Sequence, residues 1–198
     1  CKVFIKKEQV EELSFFEFVK KGNFIRLKGV ASFDTYDKEI RIGNIVGMKE
    51  IKNFKVGRRD EAPVKRVELH AHTQMSDMDG MTNCKQMVKR AHDWGHPAIA
   101  ITDHGVMYGV IDFYRAAKAA GIKPIIGCEV YVARRGMEDR VHGIDNDPYH
   151  LVLLCKNRKG YENLCLLVSE AFQRGFYGKP RVDLELLKKH HEGLIATS

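Results

Sequence analysis

The chain has 198 residues, 44% of them hydrophobic and 30% charged, with a formal net charge of +7. That balance can bury a core and excludes an intrinsically disordered segment, and no apolar run approaches the ~20 residues that a membrane span needs. The N-terminus lacks signal-peptide character, so a cytoplasmic location with no membrane contact is expected, and the positive charge favours a polyanionic partner such as nucleic acid.

Five cysteines, Cys1, Cys84, Cys128, Cys155 and Cys165, are scattered without a Cys-x-x-Cys pair, which reads as reduced thiols rather than a disulfide framework. The chain begins on Cys1 and ends on the apolar run Leu194-Ile195-Ala196-Thr197-Ser198. Both ends read as cut, so a longer parent protein is expected.

Residues 1–13 predict the end of a strand (Val3, Phe4, Ile5) followed by polar helix, and residues 14–22 a short amphipathic segment with Phe15, Phe16 and Val19 on one side. From Phe24 to Val30 apolar and basic residues alternate, Asp34-Thr35-Tyr36-Asp37 supplies a turn, and Glu39 to Val46 alternates again. This predicts a hairpin in a small β-domain covering residues 1–52. Its solvent face would carry Arg26, Lys28 and Arg41, and its turn Tyr36. Two readings stand: an ordinary solvated sheet face, or a single-strand nucleic-acid surface combining cations and an aromatic ring. Taken alone, the solvated face is favoured. Residues 53–66, charged and containing Gly57 and Pro63, predict a linker.

At Val67 the rhythm changes to strand, loop, helix. Val67-Glu68-Leu69-His70-Ala71-His72-Thr73 predicts a strand, and alternation would bring His70 and His72 out on one face. Gln74 to Gly80 follows as a loop bearing Asp79. Helices are predicted over Asn83 to Trp94 and Gly109 to Ala120, each closed by a glycine (Gly95, Gly121). Strands are predicted at Ala98–Ile101, Pro124–Tyr131 and His150–Leu154, with residues 134–149 as a loop. Helices over Lys159–Phe172 and Val182–His190 and a buried strand at 194–197 complete the pattern. Repeated β-α units predict an α/β fold with a parallel sheet covered by helices, an open sheet or a barrel.

In such folds the working residues lie where strands end and loops begin. His70, His72, Asp103 and His104 occupy such positions, and Asp79 follows closely enough to fold back. Glu129 lies inside an apolar strand, where an ionised carboxylate needs a partner. His150 opens its strand, and spacing alone does not recruit it. A lone histidine is more often an ordinary core residue, and Asp103 with His104 also fits a helix cap or tight turn. Three histidines with carboxylates converging from several strands favour a mixed nitrogen and oxygen metal site of the phosphoesterase kind. His92, His96, His142, His190 and His191 read as surface or supporting positions. Neither a Gly-rich phosphate loop nor a Gly-x-Ser-x-Gly elbow is present.

With these residues assembled, the chain resembles the PHP (polymerase and histidinol phosphatase) domain of bacterial replicative DNA polymerase III alpha subunits. The likeness rests on His70-Ala71-His72-Thr73 with Ser76 and Asp79-Gly80, on Ile101-Thr102-Asp103-His104-Gly105, on Ile126-Gly127-Cys128-Glu129-Val130-Tyr131, and on His150-Leu151-Val152-Leu153-Leu154. Gly160-Tyr161-Glu162-Asn163-Leu164, Gly175-Phe176-Tyr177 and Lys179-Pro180-Arg181 add to it. The resemblance implies an incomplete PHP-type β/α barrel over residues 67–198. It implies divalent metal, Zn or Mn, on His70, His72, Asp79, His104, Glu129 and His150, with Asp103 binding metal or orienting His104. Further ligands would lie beyond Ser198.

The first part is similar to the PolC-type subunit, in which an oligonucleotide-binding OB-fold domain precedes the PHP domain; Gly29 to Tyr36 resembles its closing hairpin. The PolC-type exonuclease insertion is absent, and the wording after about Met107 is closer to the DnaE type. A PolC-type form lacking the exonuclease, a PolC/DnaE hybrid and a trimmed form all fit. The resemblance implies DNA, as a single strand or primer 3′ end, the rest of the polymerase chain and replisome subunits as partners, and Mg for the parent polymerase. The polymerase carboxylates are absent, so this segment is not expected to polymerise. The resemblance implies metal-dependent phosphoester hydrolysis, which in some family members takes the form of a 3′–5′ proofreading exonuclease and in others gives way to a structural platform. The alternatives are a stand-alone histidinol-phosphatase-like enzyme and a metal-stabilised scaffold.

Overall fold

The computed structural model describes residues 2–3, 19–53 and 57–197 and divides the chain into two compact units, residues 1–58 and 59–198. The expected strand end at Phe4 and Ile5, the helix after it and the Phe15–Phe16 face lie outside the described residues.

In the first unit, β1 (Lys2–Val3), β2 (Phe24–Asp34) and β3 (Glu39–Ile51) form a sheet in the order β1-β3-β2. β2 and β3 are an antiparallel hairpin running from Phe24 opposite Ile51 to Asp34 opposite Glu39. The turn is set by Asp34, whose carboxylate accepts from the amides of Tyr36 (2.8 Å) and Asp37 (2.9 Å), the local bonding that makes Asp a turn former. Both strands run further than their alternation predicts, because an irregularity between Lys28 and Val30 absorbs a register shift and lets the ladder continue. Ile45 is buried, whereas Val30, Phe33, Ile40 and Val46 are exposed.

In the second unit a sheet runs in the order β4 (Ala98–Ile101), β5 (Lys123–Val132), β6 (Tyr149–Cys155), β8 (Leu194–Thr197), and β7 (Arg181–Val182) pairs with β5. The helices are α1 (Cys84–Asp93), α2 (Val110–Ala120), α3 (Arg158–Gln173) and α4 (Leu184–Lys189). The expectation of a parallel sheet holds in part and is corrected in part. β4 and β5 are parallel, with α2 as their crossover, but β5–β6 and β6–β8 are antiparallel. A parallel return needs a crossover connection, usually a helix, and the segment between β5 and β6 holds none. It is organised instead around Arg181, fully buried, whose guanidinium donates to the carbonyls of Gly175, Asp145, Met137 and Asp139 at 2.8–3.0 Å.

Three further expectations change. The strand over Val67–Thr73 shrinks to a single bridge between Glu68 and Ile99. Its carbonyls still pair with β4 and the residue beyond it, Ala100 N to Glu68 O at 2.8 Å and Thr102 N to Ala71 O at 2.9 Å. Its own amides turn to side chains, Ala71 N to Thr102 Oγ1 (2.9 Å) and Thr73 N to Asp103 Oδ1 (2.6 Å). The last predicted helix starts later, because Val182 belongs to β7 and Asp183 caps α4 by accepting from Leu186 N at 2.9 Å. β8 is exposed from Ile195 to Thr197 rather than buried, since among the described residues β6 is its one partner in the sheet.

α1 and α2 bury Val88, Ala91, Phe113 and Ala117 against Ile99 and Ile101, and α3 buries Leu164 and Leu167 against Cys128, Val130 and Leu153. Each fully buried leucine contributes about 1.5–3 kcal/mol. Because Cys128, Val130 and Val132 face that second cluster, strand alternation turns Glu129 and Tyr131 to the opposite face. That face carries the site.

Candidate metal centre

β4 runs on past Ile101 into Asp103 and His104, and backbone bonds from Glu129 N to Asp103 O (3.1 Å) and from Gly105 N to Glu129 O (2.8 Å) fix His104 beside Glu129. Across the β5–β6 pair Tyr131 faces His150, so His150 also comes out on the Glu129 side. The edge segment adds His70 and His72, ring centroids 4.9 Å apart. Asp79 arrives by the 73–80 loop, which closes on itself through Asp79 N to Ser76 O (3.1 Å), Gly80 N to Ser76 O (3.0 Å) and Gln74 N to Thr82 O (2.9 Å). At Gly80 a β-carbon would stand 1.7 Å from Thr73 O, so no other residue fits that fold-back.

Three triplets result, each with its ligand atoms within 4.8 Å of one another: His70, His72 and Glu129; His72, Asp79 and His104; His104, Glu129 and His150. They overlap, so Glu129, His72 and His104 each serve two. His72 Nε2 lies 3.2 Å from Glu129 Oε2, His150 Nδ1 2.5 Å from Glu129 Oε1, and His104 Nε2 2.8 Å from Asp79 Oδ2; His70 also pairs with Glu129. The Glu129 side chain is 5% exposed, while those of His70 and His150 are each 51% exposed and that of Asp79 56%. The carboxylate floor is buried and the rim is open to solvent.

Burial pushes the Glu129 carboxyl up, but hydrogen bonds with His70 and His150 outweigh it and leave its pKa lowered. Burial, with His104 alongside, lowers that of His72, favouring the neutral ligand form. The donor set fits divalent metal: imidazoles and carboxylates in shared triplets. The buried Nδ1 atoms of His72 and His104 also lack a hydrogen-bond partner, although buried polar groups are normally satisfied.

Asp103 stands apart from the triplets. Its buried carboxylate accepts from Thr73 N (2.6 Å), Thr73 Oγ1 (2.8 Å) and Ser76 Oγ (2.7 Å), and Ser76 Oγ in turn accepts from His104 N at 3.1 Å. It ties the 73–80 loop to the His104 backbone. Spacing did not bring out Tyr131, whose ring lies 5.9 Å from that of His104 and 5.0 Å from that of His150; its place two residues after Glu129 in one strand was the available signal. His96, read as surface or supporting, is largely buried and bonds to Asp60 at 3.0 Å. In the first unit Arg26 and Lys28 are exposed and Tyr36 is 93% exposed. Arg41 is paired with Asp34 and, at 2.8 Å, Asp37.

Residues 68–198 match the family model of the PHP domain. The chain belongs to the PHP domain family. Over 133 residues, 67% of its length, it is 47% identical to the DNA polymerase III subunit alpha of Chlamydia pneumoniae. It is 48% identical over 133 residues to that of Treponema pallidum and 45% over 139 residues to that of Thermus aquaticus. The chain is therefore homologous to the PHP region of DNA polymerase III alpha subunits. It spans 11% of the length of each of these relatives. An amidohydrolase structure from Chromobacterium violaceum aligns with 53% of this chain and 32% of its own, at a TM-score of 0.40 and 24% identity. Among the described residues no helix is long and apolar enough to cross a membrane.

Proposed function

We propose that this PHP domain is a metal-dependent phosphoesterase working within a replicative DNA polymerase III alpha subunit, where it removes nucleotides from a DNA 3′ end. The observation that carries the reading is the sharing of Glu129, His72 and His104 among three adjacent triplets, an arrangement suited to several cations close together. The metals are Zn or Mn at this site, with Mg serving the polymerase centre of the parent. His70, His72, Asp79, His104, Glu129 and His150 are the ligands, and Asp103 is a positioning residue. The surrounding architecture is an incomplete PHP-type β/α barrel over residues 67–198, a linker at 53–66 and part of an OB-like domain at 1–52. In that domain Arg26, Lys28, Tyr36 and Arg41 meet single-stranded DNA, Arg41 through the turn it braces. The parent is of PolC type with DnaE-like features, cytoplasmic, and joined by the other replisome subunits.

Bound divalent ions would supply Lewis acidity and lower the pKa of a water near the phosphoester. The residues of the chain do the rest. Glu129, with its lowered pKa, stays ionised at neutral pH and supplies the buried negative charge that would gather the cations. Asp103, through Thr73 and Ser76, fixes the loop that carries Asp79. The open rim formed by His70, His150 and Asp79 leaves room for a strand end.

The test is digestion of 3′-labelled single-stranded DNA by the alpha subunit that contains this module. Mononucleotide release that stops with chelator and in His70→Ala supports the reading. No release, or release unchanged in His70→Ala, overturns it.

A further inference from the structure

Lys179 is an exposed cation beside a cluster of four histidines and two carboxylates, Glu129 and Asp79. Its Nζ lies 5.2 Å from the centroid of the Tyr131 ring, the ring that sits 5.0 Å from His150 and 5.9 Å from His104. Among the described residues no carboxylate lies within ion-pair range of it, and the face of an aromatic ring holds an ammonium more weakly than a carboxylate or phosphate does.

The backbone beneath Lys179 is fixed from both sides. Gly178 takes a left-handed φ of 68°, and Tyr177 N bonds to Lys179 O at 3.0 Å, making a tight turn. Pro180 is buried close to Gly105, where a β-carbon would come within 2.8 Å of the proline ring and 3.0 Å of Tyr131. Arg181 then anchors the turn in its cage of four carbonyls. The chain therefore holds the root of one flexible, uncompensated cation against the loop that carries His104.

We infer that Lys179 is the phosphate-binding arm of this centre, pairing with the non-bridging oxygens of an anionic phosphoester whose scissile group reaches the histidine and carboxylate cluster. The inference rests on the phosphoesterase reading and extends it to a substrate-binding residue and a ligand class. Tyr131 holds the ammonium over its ring until the anion arrives. Lysine suits this task because its charge sits at the end of a mobile stem and needs no fixed donor geometry.

The test uses the 198-residue chain loaded with Mn or Zn and inorganic phosphate as the probe, with affinity read by calorimetry and metal content by elemental analysis. Lys179→Ala is expected to weaken phosphate binding by about tenfold, with metal content unchanged and with Lys179→Arg restoring most of the affinity. With a phosphodiester substrate the loss falls on KM more than on kcat. Unchanged phosphate affinity in Lys179→Ala overturns the inference, as does a metal-loaded wild type that does not bind phosphate. Phosphate binding that depends on Lys179 in a protein that hydrolyses no phosphoester supports this arm and overturns the functional reading alone.

Discussion

Tyr131 and His150 face each other across the antiparallel β5–β6 pair, ring centroids 5.0 Å apart, and that register carries His150 Nδ1 to within 2.5 Å of Glu129 Oε1. The meeting depends on two strands joined by a loop that contains no helix, so it is a property of tertiary pairing and not of local spacing.

Asp103 is expected to matter to the fold before any metal is added. Three donors converge on its buried carboxylate, and bonds to a charged acceptor are each worth about 1.5–3 kcal/mol. Asp103→Ala should therefore destabilise the metal-free protein by about 3 kcal/mol, read from urea unfolding with chelator present. A residue acting solely as a metal ligand would leave metal-free stability unchanged.

Gly80→Ala tests the fold-back that delivers Asp79. The added carbon would collide with Thr73 O, so the loop must open, at about 2 kcal/mol or more. Asp79 then leaves its place beside His104. The expected result is lower thermal stability together with weaker metal binding. A substitution without effect on either would show that the loop does not set the position of Asp79.

How far the site can be read from the sequence follows from which relationships are local. The His70-x-His72 spacing keeps the two rings 4.9 Å apart although the segment forms a bridge at Glu68 and not a full strand, and the end of β4 collects His104, because these depend on a few consecutive residues. The helices α1, α2 and α3 follow from apolar periodicity and glycine stops. His150 lies beyond such reading, since its place depends on the register of β6 on β5; family resemblance alone points to it. The antiparallel return is not legible in the sequence, because charged, turn-rich residues 134–149 do not reveal that they condense around Arg181. Asp103 left two roles open, since a carboxylate at a strand end serves a metal or a loop equally well until its donors are seen.

Asp145 links stability to pH. A bidentate pair with Arg135, against the opposing effect of burial, holds its pKa at about 2, below the ordinary 3.8. A lowered folded pKa gives stability that is fully present above the unfolded value and is lost as pH falls toward the folded one. Wild-type stability should thus decline between about pH 4 and about pH 2 more steeply than that of Asp145→Asn. Parallel profiles in chemical denaturation would remove Asp145 from this account.

The central claim is that Glu129 organises a shared divalent-metal centre, since it belongs to two of the three triplets. The most direct measurement is metal retained by purified, reloaded protein, by elemental mass spectrometry, for wild type and Glu129→Gln, with circular dichroism confirming that both are folded. The account predicts more than one equivalent of Zn or Mn in the wild type and at least about tenfold weaker affinity in the variant. A folded wild type that retains no metal, or a Glu129→Gln variant that binds as tightly as wild type, would contradict it.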